Sequence, residues 1–483
     1  MNRLLTILII PFLNFGQEFQ SNLPIVVINT TGNTIVDNPR IICDMGIIYN
    51  HGKLNHLSDQ FNNYNGKISV EIRGSSSQEV FPKKSYSLET QTLNGDNNNI
   101  SLLGLPAEND WILHGPYSDK TLLRNHLTFE LSRQMEHYAP NTKYCELFIN
   151  TEYQGVYMLT EKIKRDKNRV DISEFDNNDP TTGGYIIKID KLTESAIDGS
   201  WCSNLMTFNN NPVCFQYHYP KANDISLEQK IYIENFMNEI QLLIEDLSTH
   251  QTNINLIDKI DFNSFIDYWI ISELSKDVDA YRISVFLHKK SEPNGGKLNM
   301  GPVWDYNLSF GNVDFCKSSN ISGWIFEEET PCKTTIPSFW RDLIQNDSFR
   351  EKLILRWEEI RNTVLSFDNI FHHIDSVSNY LVDAQIRNFE KWDILGEWIW
   401  PNYQLGPTYQ DEISFLKYWI YNRVNWIDQN IDSIRLLFPD CSSEEKKLIQ
   451  IVNQLGQNTA EKKDEILFYI YDNGCVEKKV VIF

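Results

Sequence analysis

The sequence predicts an α+β protein with two lobes: a β-rich N-terminal part, a helix-rich C-terminal part and a small β module at the end. Strand-like segments separated by turn residues dominate between about residues 66 and 188. Helical periodicity dominates between about residues 226 and 434. Acidic residues cluster in a predicted hairpin within the second part. This order predicts an enzyme whose site lies between the lobes.

The β-rich part is predicted strand by strand. Residues 23–62 contain one strand-like run, Pro24–Asn29, in turn-rich sequence, and are predicted to form a lead-in layer. A helix is predicted over Thr121–Met135 from its leucine spacing. Residues 190–225 are predicted to be irregular. Further strands are predicted over 67–74, 83–91, 144–150, 155–162 and 184–188.

The helix-rich part contains the most informative segment of the chain. Phe262–Leu274 has a helical apolar period and is followed by the polar break SKDVDAY. RISVFLHKK and KLNMGPVW are predicted as antiparallel strands joined by the turn SEPNGG, so Asp279 and Asp305 should meet at the hairpin's open end. Helices are predicted over 226–247, 256–275, 347–364, 368–395 and 411–434.

Asp277, Asp279, Asp305 and Asn307 form the strongest set of candidate catalytic and metal-binding residues. Convergent carboxylates can orient a hydroxyl and hold a divalent cation, which are the main requirements of phosphoryl transfer. An aspartate beside Asn and Gly is usually a turn residue. Asp305, however, is flanked by apolar sequence, where an unpartnered carboxylate is costly.

Candidate nucleotide-binding residues lie in three other segments. Arg73, Ser75 and Lys84 belong to RGSSSQEVFPKKSYSL, whose small residues allow backbone amides to approach an anion. The alternative is a serine-rich loop with solvated lysines. Arg124 follows a predicted helix cap, Ser118 or Asp119, and is suited to binding a phosphate or an acid. Glu161 precedes a basic run, and a solvated loop is the alternative there.

The composition restricts the partners and the compartment. The formal net charge of −21 argues against nucleic acid and anionic membranes, and tolerates a cationic protein partner. Residues 1–17 resemble a secretory signal peptide whose apolar run is too short to span a bilayer. In an oxidising compartment Cys202 can pair with Cys214 and Cys316 with Cys332, and free buried thiols are the alternative. The predicted domains are 18–438, with a core at 66–434, and a β module at 439–483.

A set of sequence blocks resembles the spore-coat-protein-H (CotH) kinase family, in particular its secreted members from Bacteroidota. The resemblance extends over residues 67–323 and more loosely to about residue 434. It rests on Arg73–Gly74 with the serines after it, the Lys83–Tyr86 strand, LLGLPAENDWIL, PYSDKTLLRN, GVYMLTEKIKRDKNRVDI, GGYIIKID, DVDAYR and GPVWDYNLSFGN. The final residues also resemble C-terminal sorting domains of type IX secretion in the same bacteria.

The resemblance implies an atypical protein-kinase-like fold that uses ATP with Mg²⁺ or Mn²⁺ to phosphorylate serine on a protein. It places Asp279 at the catalytic-base position and Asp305 at the metal-binding position, and Lys84 resembles the phosphate-pairing lysine. Asp277 stands where many relatives have Asn, so the base is either Asp277 or Asp279. Asn307 stands where many have a second Asp. It is a candidate metal ligand, because Ser284 occupies the position at which ordinary kinases carry a metal-binding Asn.

The sequence leaves two alternative functions open. One is a catalytically weak pseudokinase or a structural protein of the cell envelope, since Asn307 replaces an acidic residue and Ala280 replaces a glycine. The other is a metal-dependent hydrolase or a carbohydrate-binding surface protein. The predicted partners are a serine-containing protein substrate, for which a basic protein matches the net charge of −21, and the type IX secretion machinery. Neither nucleic acid nor stable membrane insertion is expected.

Overall fold

The computed structural model describes residues 18–483 apart from residue 329 and the ranges 176–178, 194–196, 248–253, 438–446, 454–455, 462–465, 472–475 and 481–483. The described chain forms two compact units. The first unit comprises residues up to Gly115, Thr142–Thr160 and Tyr380–Asp393. The second comprises Pro116–Asn141, Glu161–Asn379 and the residues from Ile394 onward. No helix in these described ranges is long and apolar enough to cross a membrane.

The first unit is built on a closed β-barrel. Its helices are Ser76–Val80 and Val382–Lys391, and its strands are β1 (Gln20–Ser21), β2 (Ile25–Asn29), β3 (Ile41–Ile48), β4 (Asn55–His56), β5 (Tyr64–Arg73), β6 (Ser85–Gln91), β7 (Asp110–His114), β8 (Thr142–Ile149) and β9 (Glu152–Glu161). The order around the barrel is β2-β3-β5-β6-β7-β9-β8, and β2 closes it by pairing parallel to β8. The short strands β1 and β4 pair separately.

The barrel core follows the two-residue alternation of its strands. Ile68 and Val70 of β5 and Trp111 and Leu113 of β7 are all fully buried, because alternate side chains point to the same face of a strand. The prediction of a lead-in layer at 23–62 is wrong. Strands β2 and β3 are members of the barrel, and Val26 belongs to its core.

A late segment of the chain completes the first unit. The buried Lys83 Nζ donates to Val156 O at 2.7 Å and to Asn388 Oδ1, in the helix Val382–Lys391, at 2.8 Å. In the same helix, Arg387 Nε donates to the buried Glu146 Oε1 at 3.0 Å. One ion pair, Arg387–Glu146, and the hydrogen bonds of the Lys83 ammonium therefore fix the helix Val382–Lys391 to residues that precede position 160.

The second unit contains a five-stranded antiparallel sheet, a three-stranded sheet and most of the helices. The strands are β10 (Tyr185–Ile189), β11 (Ser200–Met206), β12 (Pro212–Tyr219), β13 (Val285–Lys289), β14 (Leu298–Met300), β15 (Leu448–Val452), β16 (Ile466–Tyr471) and β17 (Val476–Val480). The larger sheet has the order β11-β12-β10-β13-β14. The helices are Arg124–Gln134, Leu227–Leu247, Ile254–Lys259, Phe262–Ser275, Phe339–Gln345, Asp347–Arg361, Phe367–Tyr380, Tyr409–Asn430 and Ile434–Leu437.

The structure confirms the predicted hairpin and corrects the segment before it. Strands β13 and β14 pair antiparallel with Leu287 opposite Met300. Residues 190–225 are not irregular, because they contain the hairpin β11–β12 with Cys202 and Cys214 disulfide-bonded across it. Most side chains of β11 are exposed or half-buried, so its sequence does not resemble that of a buried strand.

Two long predicted helices are each two helices. The predicted helix 256–275 is broken before Asp261, whose side chain accepts a hydrogen bond from Ser264 N and caps the second helix. The predicted helix 368–395 is broken at Leu381. Cys316 and Cys332 are disulfide-bonded, and Cys43 and Cys145 are buried thiols. Cys441, Cys475 and the predicted signal peptide lie outside the described residues.

The C-terminal residues form a three-stranded antiparallel sheet with the order β15-β16-β17. Leu467, Tyr469 and Tyr471 form its small core. The strand-like runs noted in the sequence after residue 438 are thus strands. The domain boundary at residue 438 falls outside the described residues and stays a prediction.

Candidate active site

The helix Phe262–Ser275 positions the acidic motif that follows it in the chain. Asp261 caps its first turn, and Lys276 at its end adopts a left-handed conformation with φ of 46°, which stops the helix. The chain then turns through Asp277 and Asp279 before entering β13. Phe310 N donates to Ser275 O at 2.7 Å, so the loop that follows Asp305 is tied to the same helix end.

Asp277 is a buried carboxylate among like charges. Its side chain is only 3% exposed, and its Oδ2 accepts a hydrogen bond from Asp279 N at 3.2 Å. Its Oδ1 is buried and accepts no hydrogen bond from the described residues. Burial, followed by the charges of Asp279 and Asp305, raises the pKa of Asp277 well above its usual range. Asp277 is therefore protonated more readily than an ordinary aspartate, and a bound cation would oppose that protonation.

Asp279 has a cationic neighbour. Arg282 Nη2 lies 2.6 Å from its Oδ1, and the Arg282 Nε donates to Val278 O at 2.9 Å. Burial raises the pKa of Asp279, while the charges of Arg282 and Lys191 act in the opposite direction. Its carboxylate is therefore kept closer to ionisation than that of Asp277.

Asp305 occupies a strained and exposed position. Its φ of 68° and ψ of 45° lie in the left-handed region, which aspartate tolerates better than most residues. The expectation that apolar flanking sequence buries this carboxylate is wrong, because Asp305 is exposed while Val303 and Tyr306 on either side are buried. The charges of both Asp279 and Asp305 nevertheless raise the pKa of Asp277. Asp277 is thus an electrostatic neighbour of both other carboxylates.

The loop that carries Asp305 and Asn307 is fixed from several sides. Asn312 Nδ2 donates to Asn307 O at 2.8 Å, and Arg124 Nε donates to Ser309 O at 3.0 Å. Asn307 itself is half-buried. This network positions the loop through its backbone, which leaves the side-chain amide of Asn307 without a role in holding the loop.

The two other candidates in the second unit are buried. Arg124 is fully enclosed, with Nη1 forming an ion pair with Asp119 and Nε bonded to Ser309, and Nη2 has no partner among the described residues. Glu161 Oε2 accepts from Asn141 N at 2.8 Å and from the Tyr138 hydroxyl at 3.2 Å. Burial raises the pKa of Glu161. Both residues hold backbone segments, and their role in nucleotide binding stays a prediction.

Arg73, Ser75 and Lys84 belong to the first unit. Arg73 is half-buried at the end of β5, and Ser75 is exposed just before the short helix Ser76–Val80. Lys84 Nζ donates to the carbonyls of Gln78 and Phe81, both at 2.6 Å. The ammonium of Lys84 therefore fixes the serine-rich loop, and its role in pairing with phosphate stays a prediction.

Sequence reasoning missed the cations around Asp279. Arg282 belongs to the DVDAYR block and follows Asp279 by three residues, so its spacing was a usable signal. Lys191 approaches from the loop after β10, and no local pattern connects it with Asp279. Lys83, rather than Lys84, is the enclosed lysine of the first unit, and burial lowers its pKa to about 7.

The acidic cluster has suitable chemistry for a divalent cation. Within the described ranges, no group of three or more His, Cys, Asp or Glu side chains is arranged to hold a metal ion. Mg²⁺ commonly binds through only one or two carboxylates and takes its other ligands from water and phosphate oxygens. The unpartnered Asp277 Oδ1 and the exposed Asp305 meet that smaller requirement.

One family model matches most of the chain. A family model described as CotH kinase protein matches residues 70–427, which is well over half of the chain. No curated protein matches the sequence. Among solved structures, a Helicobacter pylori proinflammatory kinase, CtkA, matches with 9% identity and a TM-score of 0.31, covering 72% of this chain and 94% of that chain.

Proposed function

The chain belongs to the CotH kinase protein family, and we propose that it is an exported atypical protein kinase that transfers the γ-phosphate of ATP to serine on a protein. The family supports a kinase-like function in general. The observation that carries the specific proposal is the electrostatic cluster of Asp277, Asp279 and Asp305, which lies within the matched residues. Serine as the acceptor rests on the resemblance alone.

We assign Asp279 as the group that orients the substrate hydroxyl and accepts its proton. General bases act best when they remain ionised near the working pH, and the cation of Arg282 favours the ionised form of Asp279. The neighbouring Asp277 is better suited to positioning, because it is buried and its Oδ2 accepts a hydrogen bond from the backbone of Asp279. The ambiguity between the two aspartates is therefore resolved, in this proposal, in favour of Asp279.

Asp305 and Asn307 are the proposed ligands of Mg²⁺ or Mn²⁺, and Asp277 is a further carboxylate whose pKa the charge of Asp305 raises. When bound, a divalent cation supplies neutralisation of phosphate charge in phosphoryl transfer. The exposed position of Asp305 leaves its carboxylate accessible from solvent. Approach of a cation would also lower the pKa of Asp277, since it counters the repulsion among the three aspartates.

Labelled ATP tests the assignment. The purified chain is incubated with γ-labelled ATP, Mn²⁺ and myelin basic protein, and phosphorylated residues are mapped by mass spectrometry. Asp279→Asn should lose transfer at least a hundredfold and keep nucleotide binding. Asp314→Asn serves as a matched control, because Asp314 is exposed on the same loop and lies outside the cluster. Loss of transfer in Asp277→Asn with activity retained in Asp279→Asn would move the base to Asp277.

A second candidate is a pseudokinase that binds nucleotide without transferring phosphate. The observation that favours it is the 2.6 Å ion pair between Arg282 and Asp279, which occupies one oxygen of the proposed base. Thermal shift with ATP and Mg²⁺ separates the two. Stabilisation without phosphate incorporation supports the pseudokinase, whereas stabilisation with incorporation supports the kinase.

We also propose passage through the periplasm to the cell surface or the medium. The N-terminal apolar run and the two disulfides support export, since disulfides form in oxidising compartments. The sheet β15–β17 is the proposed type IX sorting module. Deleting the residues after Phe438 should leave the remaining chain folded and retain it in the periplasmic fraction. Normal amounts outside the cell would show that the tail is not a sorting signal.

A further inference from the structure

A groove of about 450 Å³ lies on the first unit, where β5 begins and β6 ends. Its lining contains the side-chain amides of Asn63, Asn65, Gln91 and Asn98. Lys67 is the one charged lining residue, and its Nζ lies 2.8 Å from Asp44 Oδ1. The groove therefore presents neutral donors and acceptors, and its single cation is already paired.

The amides of this groove have unused hydrogen-bonding atoms. Gln91 Oε1 is buried and accepts no hydrogen bond from the residues that the structure describes. Asn63 Oδ1 accepts from Leu103 N at 2.9 Å, which leaves its Nδ2 for a ligand. The side chains of Asn65 and Asn98 form no hydrogen bond within the described part of the chain. A buried acceptor without a donor is unfavourable, so the Gln91 amide would gain by turning toward a hydroxyl donor in the groove.

An aromatic ring stands beside these amides. Phe61 is 39% exposed, and one side of its ring packs on Gly46, where an added Cβ would lie 2.4 Å from ring atoms. Gly46 therefore allows the ring to lie close against β3. Flat apolar rings next to neutral hydrogen-bonding groups suit ligands that have both a C–H face and hydroxyl edges.

We propose that this groove binds a neutral saccharide. Sugar hydroxyls both donate and accept, which matches side-chain amides, and the C–H face of a pyranose ring matches Phe61. An anionic ligand is disfavoured because Asp44 neutralises Lys67. An apolar ligand is disfavoured because it would leave the four amides unpaired. The proposal does not depend on the kinase activity, since the groove lining contains none of the residues proposed to bind nucleotide, metal or substrate.

The test uses the full chain with maltotriose, cellotriose, mannotriose and chitotriose as probes. Saturation-transfer NMR and calorimetry should detect at least one of them with a Kd of about 1 mM or tighter. Gln91→Leu and Asn98→Ala should each weaken that binding at least tenfold. Asn99→Ala is the matched control, because Asn99 is an exposed neighbour outside the groove. The Asn99→Ala variant should bind the trisaccharide with the same Kd as the parent.

Three results would overturn the proposal. Absence of binding by all four trisaccharides at about 10 mM would exclude a saccharide site of useful affinity. Equal binding by the parent and by both groove variants would place the sugar elsewhere. Binding of a neutral Gly–Ser peptide, with no saccharide bound, would assign the groove to polypeptide. Unchanged melting temperatures of Asn98→Ala and Asn99→Ala ensure that lost binding reflects the groove rather than unfolding.

Discussion

Glu273 and Asp277 are buried carboxylates four residues apart, and they have opposite surroundings. Glu273 Oε2 accepts from Ile325 N at 2.9 Å and faces Arg423, while its Oε1 accepts from the Tyr281 hydroxyl at 3.1 Å. The like charges of Asp279 and Asp305 act on Asp277. Burial raises the pKa of both, to about 7 for Glu273 and well above the usual range for Asp277.

The difference separates a structural charge from a functional one. Arg423 compensates Glu273 and also donates to Ile321 O and Gly323 O, so this pair fixes the loop closed by Cys316 and Cys332. The described residues leave Asp277 Oδ1 without such a partner. Arg282 and the amide of Asp279 offset the burial of Asp277 only in part, since its pKa is still raised well above the usual range. Such a carboxylate is expected where an external cation completes the site.

The largest expected effect is on the compensated carboxylate. Arg423→Met leaves Glu273 buried without its cation and should lower the free energy of unfolding by about 3–5 kcal/mol. Because the pKa of Glu273 is raised in the folded state, its ionisation destabilises the fold increasingly as the pH rises from about 4 through the folded pKa. The variant should therefore lose less free energy of unfolding at pH 5 than at pH 8. Urea unfolding at pH 5 and pH 8 measures the size of the loss and its pH dependence. Arg435→Met, in an exposed ion pair with Glu351, should cost at most about 1 kcal/mol, and an equal loss in both variants would contradict the comparison.

Asp305→Asn tests the cation at the functional cluster. Mg²⁺ with ATP at about a hundred times its dissociation constant should stabilise the parent by about 2.7 kcal/mol, and this gain should disappear in the variant. Asn tolerates the left-handed conformation, and Asp305 is exposed, so stability without ligand should be unchanged. Thermal shift with and without EDTA is the measurement. A variant that keeps the full Mg²⁺–ATP shift would remove Asp305 from the metal site.

Asp277→Asn should stabilise the protein when divalent cations are absent, by on the order of 1 kcal/mol at pH 8. The folded-state pKa of Asp277 is raised, so the unfavourable charge appears as pH rises above about 4, and the benefit of the variant should vanish below that pH. Urea unfolding between pH 4 and pH 8 without metal gives the difference. Destabilisation at pH 8 would mean that Asp277 is compensated as Glu273 is.

The sequence predicted the features that depend on local interactions and missed those that depend on contacts between distant residues. The helix Phe262–Ser275 and the hairpin β13–β14 were predicted, because periodicity and turn residues are local signals. The exposure of Asp305 was missed, because a left-handed residue turns its side chain away from the face that flanking apolar residues suggest. Barrel closure by β2 against β8 and the bond from Arg124 to Ser309 join residues far apart in the chain, and no local pattern specifies such partners.

The smallest expected effect concerns Arg282, whose charge keeps the pKa of Asp279 lower than burial alone would. Arg282→Gln should raise that pKa and move the acid limb of the pH profile of kcat/KM to higher pH. The loss of activity in the variant should be larger at pH 5 than at pH 8, because a raised pKa removes the ionised base on the acid side of the profile. The profile is measured between pH 5 and pH 9 with labelled ATP. An unmoved acid limb would show that Asp279 is not the titrating base.

The bond between Lys83 and Asn388 has a consequence for the order in which the chain can fold. It joins residues 305 positions apart, and Asn388 also accepts from Val156 N at 3.0 Å. At a synthesis rate of about 5–20 residues per second, Asn388 emerges roughly 15–60 s after Lys83. Until then the barrel lacks the helix that receives its buried ammonium. The first unit begins earliest in the sequence but is completed only after most of the second unit has been made, including all of Glu161–Asn379.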